Sequence, residues 1–151
     1  MGPTAEAGEG TMCRPVHQEI RLAASPREVY EAYLDSAQHS RFTGQKARIS
    51  RKEGGPFTAG DSYISGFNLE LVEGRRIVQA WWASEWPEGA FSVLRLELRP
   101  AGRGTRLVVD HLGIPDEFRD GVDSGWHEFY WTPLKAYLGT ARAPRRRAAR
   151  P

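Results

Sequence analysis

Cysteine is nearly absent: Cys13 is the only one in 151 residues, so no internal disulfide can form. A reducing cytoplasm is the expected compartment. No stretch approaches the ~18 apolar residues of a membrane-spanning helix. Residues 1–15 hold no apolar run that could act as a signal peptide, and they read as a disordered leader. Neither export nor membrane insertion is expected. The four histidines (His17, His39, His111 and His127) fall on separate expected elements, and no two stand at metal-ligand spacing. There is no GxGxxG, and Gly54-Gly55 lacks the Gly-Lys-Ser/Thr ending of a phosphate loop. Gly121-Val122-Asp123-Ser124-Gly125 has the outline of a nucleophile elbow but puts Asp123 where the nucleophile belongs. Ser124 reads instead as part of a helix start. No catalytic residue, metal or cofactor is expected.

Charge of one sign is scarce too, although the net +2 conceals how it is distributed. Residues 140–151 (TARAPRRRAARP) hold five of the 21 basic residues and no acidic one. The rest of the chain keeps 16 basic against 19 acidic residues, a balance of −3. A slightly acidic body with a basic, disordered tail is not the footprint of a specific nucleic-acid binder, which clusters its charge on a folded face.

What the chain does have is aromatic bulk: five Trp, five Tyr and six Phe. That suits a bulky core or an apolar pocket. Val16 to Ala23 alternates Val16, Gln18, Ile20 and Leu22 against polar neighbours, the period of a half-buried strand. Ser25-Pro26-Arg27-Glu28 combines a capping serine, a first-turn proline and the glutamate of a capping box. A helix through Val29, Tyr30, Tyr33 and Leu34 follows, then a second short helix over Asp35 to Phe42. From Gln45 the pattern turns to strands: Ala47–Ser50, Ser62–Leu71, Arg75–Ala83, Ala90–Arg99 and Thr105–Leu112. Short Gly- and Pro-rich turns, Glu53–Pro56 among them, join these into an antiparallel meander. Gly66 marks a bulge or a close approach. A long helix then carries Trp126, Phe129, Tyr130, Leu134, Tyr137 and Leu138 at i, i+3, i+4 spacing, with Pro133 expected to kink it.

Faces follow from these periods. Trp81 shares a side with Ile77 and Gln79, Leu94 with Leu96 and Leu98, and His111 with Leu107 and Val109. Trp82 must point the other way, either beneath a loop or into solvent. A ligand cavity between sheet and helix would draw its walls from Gln79, Trp81, Leu94, Leu96, Val109, His111, Trp126, Phe129 and Tyr130. Alternatively, His111 and Gln79 are hydrogen-bonded core residues.

Strand, two short helices, meander and long helix together resemble the helix-grip arrangement of START-like (SRPBCC) domains. This α+β fold is a curved antiparallel sheet of six to seven strands around a C-terminal helix. Within that superfamily the chain is similar to the C-terminal domain of activators of the heat-shock-protein-90 ATPase. The resemblance is carried by Phe42-Thr43-Gly44, Gly54-Gly55-Pro56-Phe57, Ser65-Gly66, Leu69-Glu70-Leu71-Val72 and Arg76-Ile77-Val78-Gln79-Ala80-Trp81. It continues through Glu85-Trp86-Pro87-Glu88-Gly89, Gly104-Thr105-Arg106-Leu107, Gly113-Ile114-Pro115, Gly125-Trp126 and Phe129-Tyr130-Trp131. It spans about Val16 to Leu138, one domain over residues 16–139.

The resemblance implies a non-enzymatic domain that binds a hydrophobic small molecule or lipid. The alternative is a co-chaperone-like interaction module with a chaperone as partner, and the third reading is a cyclase-like enzyme. Full activators carry a separate N-terminal domain that supplies much of their grip on the chaperone. At 151 residues this chain is expected to represent the module without that half.

Overall fold

The computed structural model describes residues 14–139. The basic tail and all of the leader except Arg14 and Pro15 lie outside them. Those two are tied to the body: Arg14 pairs with Asp116 and Asp120, and the Pro15 carbonyl accepts from Arg119.

Alternating burial along Val16–Leu22 makes strand β1. Ser25 then caps helix α1 (Pro26–Leu34), with both hydrogen bonds of the capping box formed to Glu28. Asp35 ends α1 and caps α2 (Ser36–Thr43), accepting from the Gln38 amide at 2.9 Å. Gly44 closes α2 in the left-handed conformation its missing Cβ permits.

Six further strands follow: β2 (Arg48–Ile49), β3 (Pro56–Ala59), β4 (Ile64–Val72), β5 (Arg76–Ala83), β6 (Ser92–Ala101) and β7 (Gly104–Leu112). They form one antiparallel sheet of seven strands in the order β1-β7-β6-β5-β4-β3-β2. The expected turn at Glu53–Pro56 runs directly into β3, whose first residue is Pro56 and whose four residues are too few to give a periodic signal of their own. Gly66 is a close approach rather than the bulge. A Cβ there would strike the Ala80 carbonyl of β5, while the register slips further along β4, between Asn68 and Glu70.

The last helix begins well before Ser124. Helix α3 spans Asp116–Gly125, and Ser124 sits inside it, donating back to the Asp120 carbonyl at 3.2 Å. A π-helical turn (Trp126–Trp131) follows, and residues 132–139 continue as helix. The wide turn has a local cause. Pro133 lacks an N–H and its ring crowds the carbonyl four residues back, so the backbone widens just ahead of it. The Thr132 amide accordingly bonds to the His127 carbonyl, five residues back.

That extra residue changes which side chains face the sheet. Trp126 and Trp131 become neighbours, their rings stacked at 5.1 Å and 8°. Trp131 is 1% exposed, whereas Phe129, expected inside on α-helical spacing, is 59% exposed. Among the described residues no helix is long and apolar enough to cross a membrane.

Candidate ligand cavity

The space between sheet and helix divides into a filled part and an open part. At the centre of the sheet Gln79, Leu94, Leu96, Val109 and His111 are sealed, each exposed by 1% or less. These five expected wall residues meet other side chains rather than free space.

Their polar members satisfy one another. His111 Nδ1 accepts from the Trp126 indole N–H at 3.1 Å, so it carries no proton. Ser92 Oγ donates to the Trp81 carbonyl at 2.8 Å, so it must accept from His111 Nε2–H, also at 2.8 Å. One neutral tautomer fits that chain, and burial pushes the His111 pKa down to about 3. Gln79 accepts from the Tyr33 hydroxyl at 3.2 Å and donates to Asn68 Oδ1 at 3.0 Å. The Asn68 amide donates onward to the Ser50 carbonyl at 2.7 Å.

His39, which no sequence signal separated from an ordinary helical residue, works the same way. Its Nδ1–H donates to the Tyr33 carbonyl at 2.7 Å, and Nε2 accepts from the Tyr130 hydroxyl at 2.8 Å. Burial lowers its pKa to about 4 and raises that of Tyr130. Gln18 joins β1 to the last helix, donating to Asp123 and accepting from the Trp131 indole at 2.7 Å. Among the described residues the only buried side-chain polar atom without a partner is Arg119 Nε.

The open part lies at one end of the grip, a cavity of about 520 Å³. Trp81, Trp126 and Tyr130 reach it from the expected set, and Phe129 stands at its rim. Trp86 and Phe118 complete an aromatic chain, with ring centroids 6.2 Å apart for Phe118–Trp86, 5.5 Å for Trp86–Trp81 and 5.7 Å for Trp81–Trp126. Further wall comes from the end of α2 (Thr43) and Gln45 just beyond it, the β3–β4 turn (Gly60, Tyr63), the start of β4 (Ile64), and Ala83 and Glu85 at and after the end of β5.

The opening can be traced to the sequence of α3. The side of α3 that faces the cavity carries Phe118, Gly121, Val122 and Gly125, an i, i+3, i+4, i+7 stripe. Two of those four positions have no side chain. A Cβ on Gly121 would meet nothing within 4 Å, and none of the residues of α3 is fully buried. The helix therefore stands off the sheet where its inward stripe should fill the gap. The stripe leaves little periodic signal in the sequence because two of its four positions are glycine. Trp86 was hidden for another reason, since a loop residue has no periodic face.

On the outer surface Trp82 packs beneath the loop after β5, donating its indole N–H to the Pro87 carbonyl at 2.9 Å. Beside it runs a directly paired row across four strands: Phe67, Ala80, Val93 and Leu112. Three of the four, Phe67, Val93 and Leu112, are exposed.

Comparison with known proteins agrees with this architecture. The family profile described as "Activator of Hsp90 ATPase homolog 1-like protein" matches residues 23–139. The mouse "Activator of 90 kDa heat shock protein ATPase homolog 2" is 27% identical over 111 residues, covering 74% of this chain and 34% of its own. The Dictyostelium discoideum "Activator of 90 kDa heat shock protein ATPase homolog" is 30% identical over 119 residues, 75% of this chain and 31% of its own. The chain thus spans about a third of the length of these curated relatives. A crystal structure of an HSP90 activator from Plasmodium falciparum superposes with a TM-score of 0.77 at 22% identity, covering 83% of this chain and 96% of that one. At that identity it establishes a shared fold.

Proposed function

The chain belongs to the family of activator of Hsp90 ATPase homolog 1-like proteins, and from that premise we propose that its cavity binds a hydrophobic small molecule. One observation carries the reading: a preformed space of about 520 Å³ walled by Trp81, Trp86, Trp126 and Tyr130. Ligand sites are typically about 300–1,000 Å³, mostly apolar and present before the ligand arrives. Three tryptophans on the wall supply large apolar area at little conformational cost. Orientation falls to the groups at the mouth, because the polar groups of the sealed interior are already engaged.

Flavone, a neutral planar aromatic, tests this reading directly. Titration should quench tryptophan emission saturably, at one ligand per chain. Calorimetry should give a negative heat-capacity change as apolar surface is buried. Absence of a saturable response to flavone, fatty acids and polyketide-like aromatics alike would remove the reading.

A second reading, a co-chaperone-like interaction module, is supported by the relatives' names and by the exposed row of Phe67, Val93 and Leu112. Adding the purified chain to a 90 kDa heat-shock protein and measuring ATP turnover tests it, with Val93→Lys as the variant expected to lose any stimulation. A cyclase-like role needs an acid-base group aimed into the cavity. Both His39 and His111 have both ring nitrogens engaged inside the packing, and the acid-base groups that do reach the wall, Glu85 and Glu117, belong to exposed residues.

A further inference from the structure

The cavity's charge narrows the class of ligand beyond "hydrophobic", an inference that rests on the cavity reading above. The charged residues on its wall are Glu85 and Glu117, with no Lys, Arg or His among the lining residues. Both carboxylates belong to exposed residues, so they stand at the mouth and remain hydrated. Glu85 accepts one hydrogen bond, from the Tyr63 hydroxyl at 2.9 Å, and Glu117 lies in the first turn of α3. Neither has an ion-pair partner among the described residues. The cations on and beside α3 are engaged elsewhere: Arg14 with Asp116 and Asp120, Arg119 with Asp120 and Asp123.

The apolar wall has a sign as well. Indole faces are electron-rich and attract cations. A ligand with an anionic head would have to leave water for a mouth lined by two carboxylates and a floor of negative ring faces. A protonated amine would meet attraction from both. We infer that the cavity selects hydrophobic amines, with the apolar body against Trp81, Trp86 and Trp126 and the ammonium group near Glu85 and Glu117.

Three probes with one apolar body separate charge from hydrophobicity: naphthylmethylamine, naphthylmethanol and naphthoate, each titrated at pH 7 by amide shifts. The amine should bind about tenfold more tightly than the alcohol and the carboxylate most weakly, an order set by cation–π attraction and solvent-screened ion pairing. Raising salt should narrow the gap between amine and alcohol. Glu85→Gln combined with Glu117→Gln, both at exposed positions, should narrow the gap between amine and alcohol and abolish its salt dependence, leaving the share due to the indole faces. Equal affinities for all three probes, or tightest binding of naphthoate, would overturn the inference and leave the cavity reading standing. If none of the three saturates although flavone does, the inference fails alone; if flavone, fatty acids and polyketide-like aromatics fail as well, the cavity reading fails with it. The order of affinities and its salt dependence are read on the unaltered protein, so they decide the matter even if the double variant is unstable.

Discussion

The sealed centre of the sheet and the open end of the grip are built from the same kinds of residue, yet one is solid and the other hollow. At the centre the inward residues Gln79, Leu94, Leu96, Val109 and His111 are buried, and the polar groups there are absorbed in chains such as Trp126–His111–Ser92–Trp81. At the open end the sheet side is equally bulky, with Trp81 on β5 and Trp86 in the loop after it, but the facing helix offers Gly121 and Gly125. An interior is set by both of its layers. A sheet face alone does not decide whether the space above it is core or cavity.

Trp126 belongs to both regions, so of the single substitutions its loss should have the largest effect. Trp126→Ala removes a buried aromatic that caps His111 and lines the cavity, which should cost roughly 3–5 kcal/mol, a large share of a typical domain's ~5–15 kcal/mol. Urea unfolding reads this out, and a midpoint close to that of the unaltered protein would mean the helix is not anchored there.

Acid should attack the sealed region next. His39 and His111 are held neutral in the folded state, with pKa lowered from 6.5 to about 4 and about 3. Between pH 6.5 and about 4 the unfolded chain binds these protons and the folded chain does not, so stability falls as pH falls. Each histidine contributes up to about 1.4 kcal/mol per pH unit in that window. Above pH 7 both are neutral in both states and add no slope. His17 acts in the opposite sense, since hydrogen bonding to Asp110 raises its pKa on the surface. Chemical denaturation at a series of pH values checks the net effect, and equal stability at pH 7 and pH 4.5 would contradict the sealed assignment.

A smaller loss sharpens the contrast. His111→Leu leaves the Trp126 indole and the Ser92 hydroxyl each short of a partner, at about 1–3 kcal/mol for buried polar groups left unsatisfied. Flavone affinity should change little, because His111 does not line the cavity. A change in ligand preference with unchanged stability would move His111 from core to site.

Gly121→Leu should disturb stability least and binding most. The position is helical and a Cβ there meets open space, so replacing glycine should be neutral or gain up to about 1 kcal/mol. The leucine side chain would occupy the cavity, and flavone should no longer bind. Retained binding would place the ligand elsewhere.

How much of this was legible depended on whether a feature left a periodic trace. The capping box at Ser25 and Glu28, the Leu94–Leu96–Leu98 face and the opposed Trp81 and Trp82 all follow from local spacing. The order of elements read from the sequence is the observed one, except that the short strand β3 reads there only as a turn. The position of the cavity was not legible because it depends on the register of the last helix against the sheet. Pro133 was visible, but its consequence is a wide turn that inserts a residue, sends Trp131 inside and leaves Phe129 at the rim. Gln79 and His111 illustrate the other limit. A polar residue on an apolar face looks the same whether it awaits a ligand or a neighbour, and only the third dimension supplies Tyr33, Asn68, Ser92 and Trp126 as neighbours.

The division into a filled centre and an open end is tested most directly by mapping amide and indole shifts as flavone is added to saturation. The account predicts the largest shifts at Trp86, Phe118, Gly121 and Phe129, with little change at Gln79, Leu94 and Val109. Shifts centred on those three sheet residues, or no saturable shift anywhere, would contradict it.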